Sequence, residues 1–243
     1  MNSARSARDD GAYARVHQGG DAVARYIRKL DNRIDVLRHN EELSILGRWL
    51  RGRVFDCTIG VGRFVGRLPG VSSYDGMDLS AEFVDFVSQQ YPQVRAKVAD
   101  LTAGIPERDG RFDAVLCLRS LSAIGQVNRI LREMLRVARP GGIVVVDYGR
   151  RARPRARVRG EHVAIDSEDF DGAIAESGAE VAARYRVDAV LTRAKVRLRI
   201  FRFLNGRLGW LVPDWALMLA ERCLSPLLWQ RQIVVLRKPQ PPQ

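Results

Sequence analysis

Two glycines at alternate positions follow a short apolar stretch, and their spacing is the clearest chemical signal in this chain. Residues 54–63 are Val-Phe-Asp-Cys-Thr-Ile-Gly-Val-Gly-Arg, which places Gly60 and Gly62 just after the apolar residues. Because glycine has no Cβ, the backbone there can turn sharply after a strand and approach a ligand closely. The pattern predicts a nucleotide-type cofactor loop, followed by a helix that begins at Arg63.

Acidic residues close the next two predicted strands. Residues 71–77 form a strand that ends in Asp78, followed by Leu79 and the helix-capping Ser80. A carboxylate at this place can accept hydrogen bonds from both ribose hydroxyls of an adenosine. Residues 94–98 form a third strand, and Asp100-Leu101 after it offers an acceptor beside an apolar contact for an adenine ring.

Two more strands follow, at residues 111–118 and 143–147, with the turn Arg139-Pro140-Gly141-Gly142 before the second. The glycines alone would also fit a nicotinamide-binding Rossmann domain, because Gly66 extends the pattern. About fifty residues precede the loop here, whereas such domains usually place it near the start of the chain, and they give no reason for the Arg-Pro-Gly-Gly turn.

Taken together, these motifs resemble those of the class I S-adenosylmethionine-dependent methyltransferases, whose first motif is D-x-G-x-G-x-G. In this chain it is Asp56-Cys57-Thr58-Ile59-Gly60-Val61-Gly62, with Thr58 at the place of the first glycine. The resemblance implies S-adenosyl-L-methionine as cofactor. Arg38, in the N-terminal helices, is expected either to reach the methionine carboxylate of this cofactor or to be a helix-surface residue without ligand contact. The cofactor-binding residues that the resemblance implies are Asp56, Thr58, Gly60, Gly62, Asp78, Leu79, Asp100, Leu101, Leu118 and Arg38.

The resemblance also implies an α/β fold, a Rossmann-like seven-stranded sheet that is mostly parallel, with an antiparallel C-terminal strand pair and helices on both faces. We expect a single methyltransferase domain over residues 1–243. Its parts are an N-terminal helical cap (1–51), a cofactor-binding core (52–188), a helical substrate-side insertion (189–230) and a final strand (231–238).

The candidates for catalysis lie around the predicted acceptor side. Relatives often carry a histidine after the fourth strand, where this chain has Arg119-Ser120, so a base must come from elsewhere. His162 follows an arginine-rich loop, His17 lies in the N-terminal segment, and Tyr148 ends the fifth strand. We expect the acceptor to be a small, partly apolar molecule methylated on oxygen or nitrogen, as in secondary metabolism. The Pro-Pro-aromatic motif of enzymes that methylate nucleobase amines is absent.

The formal charge of +12 raises nucleic acid as a partner. Only four of the 40 basic residues are lysine, which fits an arginine-rich coding bias and makes nucleic acid a weaker interpretation. The alternatives are an RNA methyltransferase and a non-catalytic module that binds RNA or a protein partner. Six arginines within residues 150–159 border the predicted site, where they would hold an acidic group of the substrate or form a solvated loop.

The insertion 189–230 carries three of the four tryptophans. It is expected to be an apolar lid, core packing, or a surface that meets lipid or a second copy in a homodimer. The chain has no long apolar run, and its first residues contain no apolar signal core, which predicts a cytoplasmic protein. Cys57, Cys117 and Cys223 are expected to be small core residues, with no metal cluster.

Overall fold

The computed structural model describes residues 21–124, 126–149, 167–188 and 211–240, and its centre is one sheet of seven strands. The strands are β1 Gly52–Asp56, β2 Val71–Asp78, β3 Arg95–Val98, β4 Phe112–Cys117, β5 Ala138–Gly149, β6 Glu180–Val187 and β7 Arg231–Arg237. Their order is β3-β2-β1-β4-β5-β7-β6, and β7 runs antiparallel to both of its neighbours while the other pairs are parallel. The predicted fold class is confirmed.

Helices cover both faces of this sheet. The described helices are α1 Ala22–Leu30, α2 Arg33–Trp49, α3 Ala81–Gln90, α4 Leu121–Ile124, α5 Val127–Val137, α6 Ser167–Ser177 and α7 Asp214–Leu228. Helix α2 begins where the side chain of Asn32 accepts a hydrogen bond from the backbone N–H of Asp35, a standard cap for free helix donors. The described part of the N-terminal segment therefore forms two helices.

Alternation along the strands divides the core into two halves. Val144 and Val146 of β5 face α5 and α6, whereas Val145 faces the side covered by α2 and α3. Helix α5 buries residues at the spacing of one helical face, among them Ile130 and Met134. Both faces of the central strands are thus apolar, as expected of a covered parallel sheet, and functional groups are left to the strand ends.

The helix predicted to begin at Arg63 is not formed. Residues 60–66 make a run of turns, because Gly60, Gly62 and Gly66 all adopt positive φ values of 52°, 71° and 69°. A right-handed helix cannot continue through left-handed residues. The cofactor loop is consequently supported by turns and by its packing, with no helix N-terminus beneath it.

Two smaller expectations also change. The Arg139–Gly142 segment is part of the long strand β5, since Gly141 and Gly142 exchange backbone hydrogen bonds with Lys238. Cys57 and Cys117 are buried core residues as predicted, but Cys223 is exposed. Within the described ranges, no helix has the length and apolar character needed to cross a bilayer.

Candidate active site at the carboxyl edge of the sheet

Asp56 closes β1 and holds the glycine loop in shape. One carboxylate oxygen accepts the backbone N–H of Thr58 at 3.1 Å, and the other accepts the hydroxyl of Tyr74 at 2.8 Å. Burial raises the pKa of Asp56 to about 6 in spite of these donors. Because both oxygens are bonded inside the protein, Asp56 orients the loop, and its direct contact with a cofactor stays a prediction.

Asp78 lies at the tip of β2 with its carboxylate pointed at the same loop. Its Oδ2 accepts the backbone N–H of Gly60 at 2.9 Å, and its Oδ1 accepts that of Ser80 at 3.0 Å. Burial raises the pKa of this carboxyl group. A carboxylate has about four acceptor positions, so roughly two remain for the hydroxyls of a ribose.

The glycines leave space where a ligand would approach. A Cβ added to Gly60 would meet no atom within 4 Å, whereas one on Gly62 would lie 2.8 Å from the ring of Tyr91. Gly76 also has no room for a side chain, since a Cβ there would lie 2.9 Å from the backbone oxygen of Asp56. The loop is therefore packed down against β2 at Gly76 and open at Gly60.

Thr58, which replaces the first glycine of the motif, has its own partner. Its hydroxyl accepts a hydrogen bond of 3.0 Å from Ser120, a residue just after β4. The backbone of Thr58 does not have a positive φ, so no glycine is required at this position. The substitution links the β1 loop to the β4 loop.

A group of buried or partly buried charges, which we call the ion cluster, lies at the ends of β4, β5, β6 and β7. Its members are Glu42, Arg119, Asp147, Asp188 and Arg231. Arg231 contacts all three acids, at 2.6 Å from Glu42, 2.7 Å from Asp147 and 2.9 Å from Asp188. Arg119 forms a two-pronged pair with Glu42, at 2.8 and 2.9 Å. Burial acts to raise the pKa of Glu42, but the arginines hold it well below its usual range.

Two residues of the ion cluster have strained backbones. Arg119 has φ of 64° and Asp188 has φ of 63°, values that non-glycine residues rarely adopt. Arg119 is held there by its own side chain on Glu42 and by its backbone N–H, which donates to Asp147 at 2.7 Å. Such strain concentrates at functional sites, where surrounding contacts maintain it.

Arg63 follows the glycine loop and is a largely buried cation with little counter-charge. Its closest acid is Glu42, at 3.7 Å, and Glu42 is already shared by Arg119 and Arg231. Burial, followed by the charge of Arg119, lowers the pKa of the Arg63 guanidinium. An added carboxylate beside the loop would therefore be favourable.

His39 lies next to this arginine and also has unused hydrogen-bonding capacity. Its ring packs on Phe64, with the centroids 5.3 Å apart, and its Nδ1 is buried without a partner among the described residues. Burial and the charge of Arg63 lower the pKa of His39 to about 4, so the ring is neutral at pH 7. A neutral imidazole can accept a hydrogen bond from a ligand.

The other predicted cofactor residues are spread along this edge. Arg38 is paired with Asp188 at 2.6 Å and Asp35 at 3.3 Å, which leaves less of its charge for a ligand than Arg63 has. Leu79 and Asp100 are partly exposed, whereas Leu101 and Leu118 are buried in the core. Their contacts with a cofactor stay predictions.

The catalytic candidates are placed less favourably. Tyr148 is buried, stacks on Phe170 at 4.3 Å, and donates its hydroxyl to Gln232 at 2.6 Å. Burial raises the pKa of Tyr148, so it is a poor base at neutral pH. His162 and His17 lie outside the described residues.

Sequence reasoning did not single out Arg63, His39 or Glu42. Their importance comes from packing, because Glu42 meets Arg119 across 77 positions of the chain and Arg231 meets Asp147 across 84. Asp147, at the carboxyl end of the fifth strand, was the one available signal, since acids at such ends face the site.

Comparison with solved structures extends over most of the chain. The [4+2]-cyclase SpnF is 23% identical over 85% of this chain and 82% of its own, with a TM-score of 0.59. Geranyl diphosphate C-methyltransferase from Streptomyces coelicolor is 16% identical over 91% and 86%, with a TM-score of 0.60. A methyltransferase in complex with the Trm112 activator of Haloferax volcanii is 15% identical over 86% and 99%, with a TM-score of 0.56. At these identities the likeness establishes the fold.

The sheet order and the acids at its carboxyl edge define a Rossmann-like fold of the methyltransferase type. Residues 55–146 match the methyltransferase domain family. This match identifies a methyltransferase domain within the chain, with S-adenosylmethionine as its cofactor.

Proposed function

We propose that the protein transfers the methyl group of S-adenosylmethionine to an oxygen or nitrogen of a small, partly apolar organic acceptor. The observation that carries the cofactor half is the arrangement around the glycine loop. Asp78 keeps acceptor positions for a ribose, Gly60 faces open space, and Arg63 lacks a full counter-charge. We assign the methionine carboxylate to Arg63 in place of Arg38, which is neutralised by two acids.

The acceptor half of the proposal has separate support. Leu217 and Met218 of helix α7 pack with Leu37 of α2, and apolar contacts of this kind suit the wall of an apolar pocket. One structural neighbour acts on geranyl diphosphate, a small molecule with an apolar body. A cytoplasmic location, and His162 or His17 as the base, remain parts of this proposal.

The chemistry asks little of the side chains. The bound cofactor supplies a sulfonium methyl group that is already activated toward displacement. The residues of the carboxyl edge have to align the acceptor about 3 Å from the methyl carbon and exclude water. The ion cluster does this by fixing the backbone of Arg119 and Ser120, because their loop is bonded to α2, β5 and the glycine loop.

Calorimetric titration with S-adenosylhomocysteine tests the cofactor half. Asp78→Ala should weaken binding by about 100-fold, since it removes two charge-assisted hydrogen bonds. Asp85→Ala, at an exposed position of α3, is the matched control and should bind as wild type does. Equal affinity of the two variants would disprove the ribose assignment.

An acceptor screen tests the second half. Phenols, amines, prenyl compounds and bulk transfer RNA would be offered with S-adenosylmethionine, and formation of S-adenosylhomocysteine would be measured. Turnover with a small apolar compound is expected. Turnover with the RNA alone would replace the proposal by an RNA methyltransferase.

A further inference from the structure

Helix α7 exposes far more apolar surface than any other described element. Six of the ten exposed large hydrophobic side chains of the described residues lie within positions 211–228. Four exposed side chains recur every fourth residue along the helix and form a ridge: Trp215, Leu219, Cys223 and Leu227. Trp215 is 70% exposed and Leu227 is 74% exposed. A contiguous ridge of this kind marks a contact surface.

The opposite face of α7 accounts for how the helix is held. Leu217 packs with Ile34 and Leu37 of α2, and Glu221 and Ser225, one and two turns further along the helix, are buried as well. Because these positions follow one another at intervals of four, they form a stripe opposite the ridge. The ridge is thus presented outward by a helix that is anchored on its other side.

A cavity of about 710 Å³ lies on the flank of α7, between the anchored stripe and the ridge. Met218, Arg222 and Pro226 line it from α7, and Arg48 lines it from α2. The edge strand β6 contributes two further arginines to its described wall, Arg184 and Arg186. The apolar ridge is therefore bordered along its length by a cationic cavity.

Of the four arginines in the cavity wall, Arg48 and Arg222 have charges that are free for a ligand, whereas the other two have partners in the protein. Arg184 pairs with Asp171, and Arg186 donates to the backbone oxygen of Pro226. Arg48 and Arg222 are exposed and have no hydrogen-bond or ion-pair partner among the described residues. The acid nearest to them in the wall is Glu41, and burial, followed by the charge of Glu221, raises its pKa to about 8. At pH 7 this wall is positive.

We propose that α7 and this cavity form a peripheral binding site for an anionic lipid bilayer. The ridge inserts among the acyl chains, and Arg48 and Arg222 bind the phosphates of the headgroups. The helix has 15 residues and is about 22 Å long, too short to span a bilayer core of about 30 Å, so it lies in the interface.

Charge favours lipid over a second copy of the chain as the occupant. A two-fold interface through the ridge would place the arginines of one copy close to the same arginines of the other. The formal charge of +12 adds repulsion between copies. An anionic bilayer complements both the ridge and its cationic border.

Co-sedimentation with vesicles tests the site. Wild type should pellet with phosphatidylcholine vesicles that contain about one third phosphatidylglycerol, should bind at least about tenfold less to pure phosphatidylcholine, and should be released by about 0.5 M salt. The variant Trp215→Ser/Leu219→Ser/Leu227→Ser should lose about tenfold or more in partitioning. Arg48→Gln/Arg222→Gln should lose most of the preference for the anionic lipid.

Matched controls distinguish a specific lipid-binding site from nonspecific adsorption to the vesicles. Val98→Ser/Val181→Ser removes exposed apolar groups elsewhere, Arg108→Gln/Arg132→Gln removes distant cations, and both variants should bind as wild type does. Inorganic phosphate at equal ionic strength should not displace the protein. The ridge variant should keep its affinity for S-adenosylhomocysteine, which separates this test from the methyl-transfer proposal.

Three results would overturn the proposal. Wild type could stay in the supernatant with anionic vesicles at low salt, or the ridge variant could bind them as well as wild type does. In the third, sedimentation velocity would show a dimer that the ridge substitutions dissociate, which would make the ridge a subunit interface.

Discussion

The two halves of the carboxyl edge are held together by different forces. On the β1–β2 side, Asp56 and Asp78 accept bonds from backbone N–H groups of residues close in sequence or in the loop after the adjoining strand. On the β4–β7 side, Arg119 and Arg231 form ion pairs with the buried Glu42, and the three residues are far apart in the chain. The first half is a local motif that can bind a ligand with little rearrangement. In the second half, the ion cluster holds together segments that are distant in the sequence.

The largest effect on stability is expected from Glu42→Gln, which tests whether the β4–β7 half depends on its ion pairs. Removing the acid leaves Arg119 and Arg231 buried with less counter-charge, which should lower the free energy of unfolding by about 3–5 kcal/mol. Urea denaturation would measure it, with Glu180→Gln, at an exposed position of β6, as a surface control. A loss below about 1 kcal/mol would mean that ion pairing in the ion cluster contributes little to stability.

Substitution of Arg63 tests whether the methionine carboxylate binds between the two halves. Arg63→Gln should weaken the binding of S-adenosylhomocysteine by about 10- to 100-fold, since a charged hydrogen bond contributes about 1.5–3 kcal/mol. Binding of 5′-methylthioadenosine, which lacks the carboxylate, should stay unchanged in the same titration. Equal weakening of both ligands would place the carboxylate elsewhere, and Arg67→Gln on the same loop is the control.

The pH dependence of stability separates Glu41, the residue before Glu42 of the ion cluster, from His39. The pKa of Glu41 is about 8 in the folded protein and 4.5 ordinarily, so between these values the folded state binds the additional proton. Stability from this group is therefore lost as the pH rises, by at most about 1.4 kcal/mol per pH unit. His39, with a pKa lowered from 6.5 to about 4, acts in the opposite sense but only below pH 6.5.

Urea denaturation between pH 6.5 and pH 8 should accordingly show a falling free energy of unfolding in wild type, because Glu41 alone of these two titrates there. Glu41→Gln should flatten the profile, while Glu180→Gln, at an exposed position of β6, should leave it sloping. A profile that is flat in wild type would show that Glu41 is ionised in the folded protein.

The smallest expected effect concerns the hydrogen bond that joins the two halves. Thr58→Gly restores the glycine of the family motif but removes the hydroxyl that accepts the shorter hydrogen bond of Ser120, so stability should fall by about 1 kcal/mol. Affinity for S-adenosylhomocysteine should stay within about threefold, because the backbone of Thr58 needs no left-handed conformation. Thermal unfolding and calorimetry would check both, and a large gain in affinity would show that the threonine obstructs the cofactor.

Sequence patterns captured the β1–β2 half because its partners are set by short-range spacing. Gly60 and Asp78 are adjacent once the strands are drawn side by side, and apolar periodicity is enough to draw them. The absent helix at Arg63 shows the limit of this method, since three left-handed glycines outweigh the usual strand-to-helix pattern.

The contacts of the β4–β7 half could not be predicted from short-range spacing in the sequence. Charged residues such as Glu42 and Arg231 are ordinarily solvated, and only the tertiary fold buries them together. Arg38 illustrates the difficulty, because a predicted ligand for the cofactor is largely neutralised by Asp188. The division of the chain into one domain, and the roles of His162 and His17, remain predictions.

The position of Arg231 in the last strand has a consequence for biosynthesis. Glu42 and Asp147 emerge from the ribosome long before the arginine that neutralises them, and until β7 is inserted between β5 and β6 these acids repel each other. The final arrangement of Arg119 and Ser120 must therefore await the synthesis of β7. Nascent or truncated chains that lack β7 could carry a formed glycine loop and still be unable to align an acceptor.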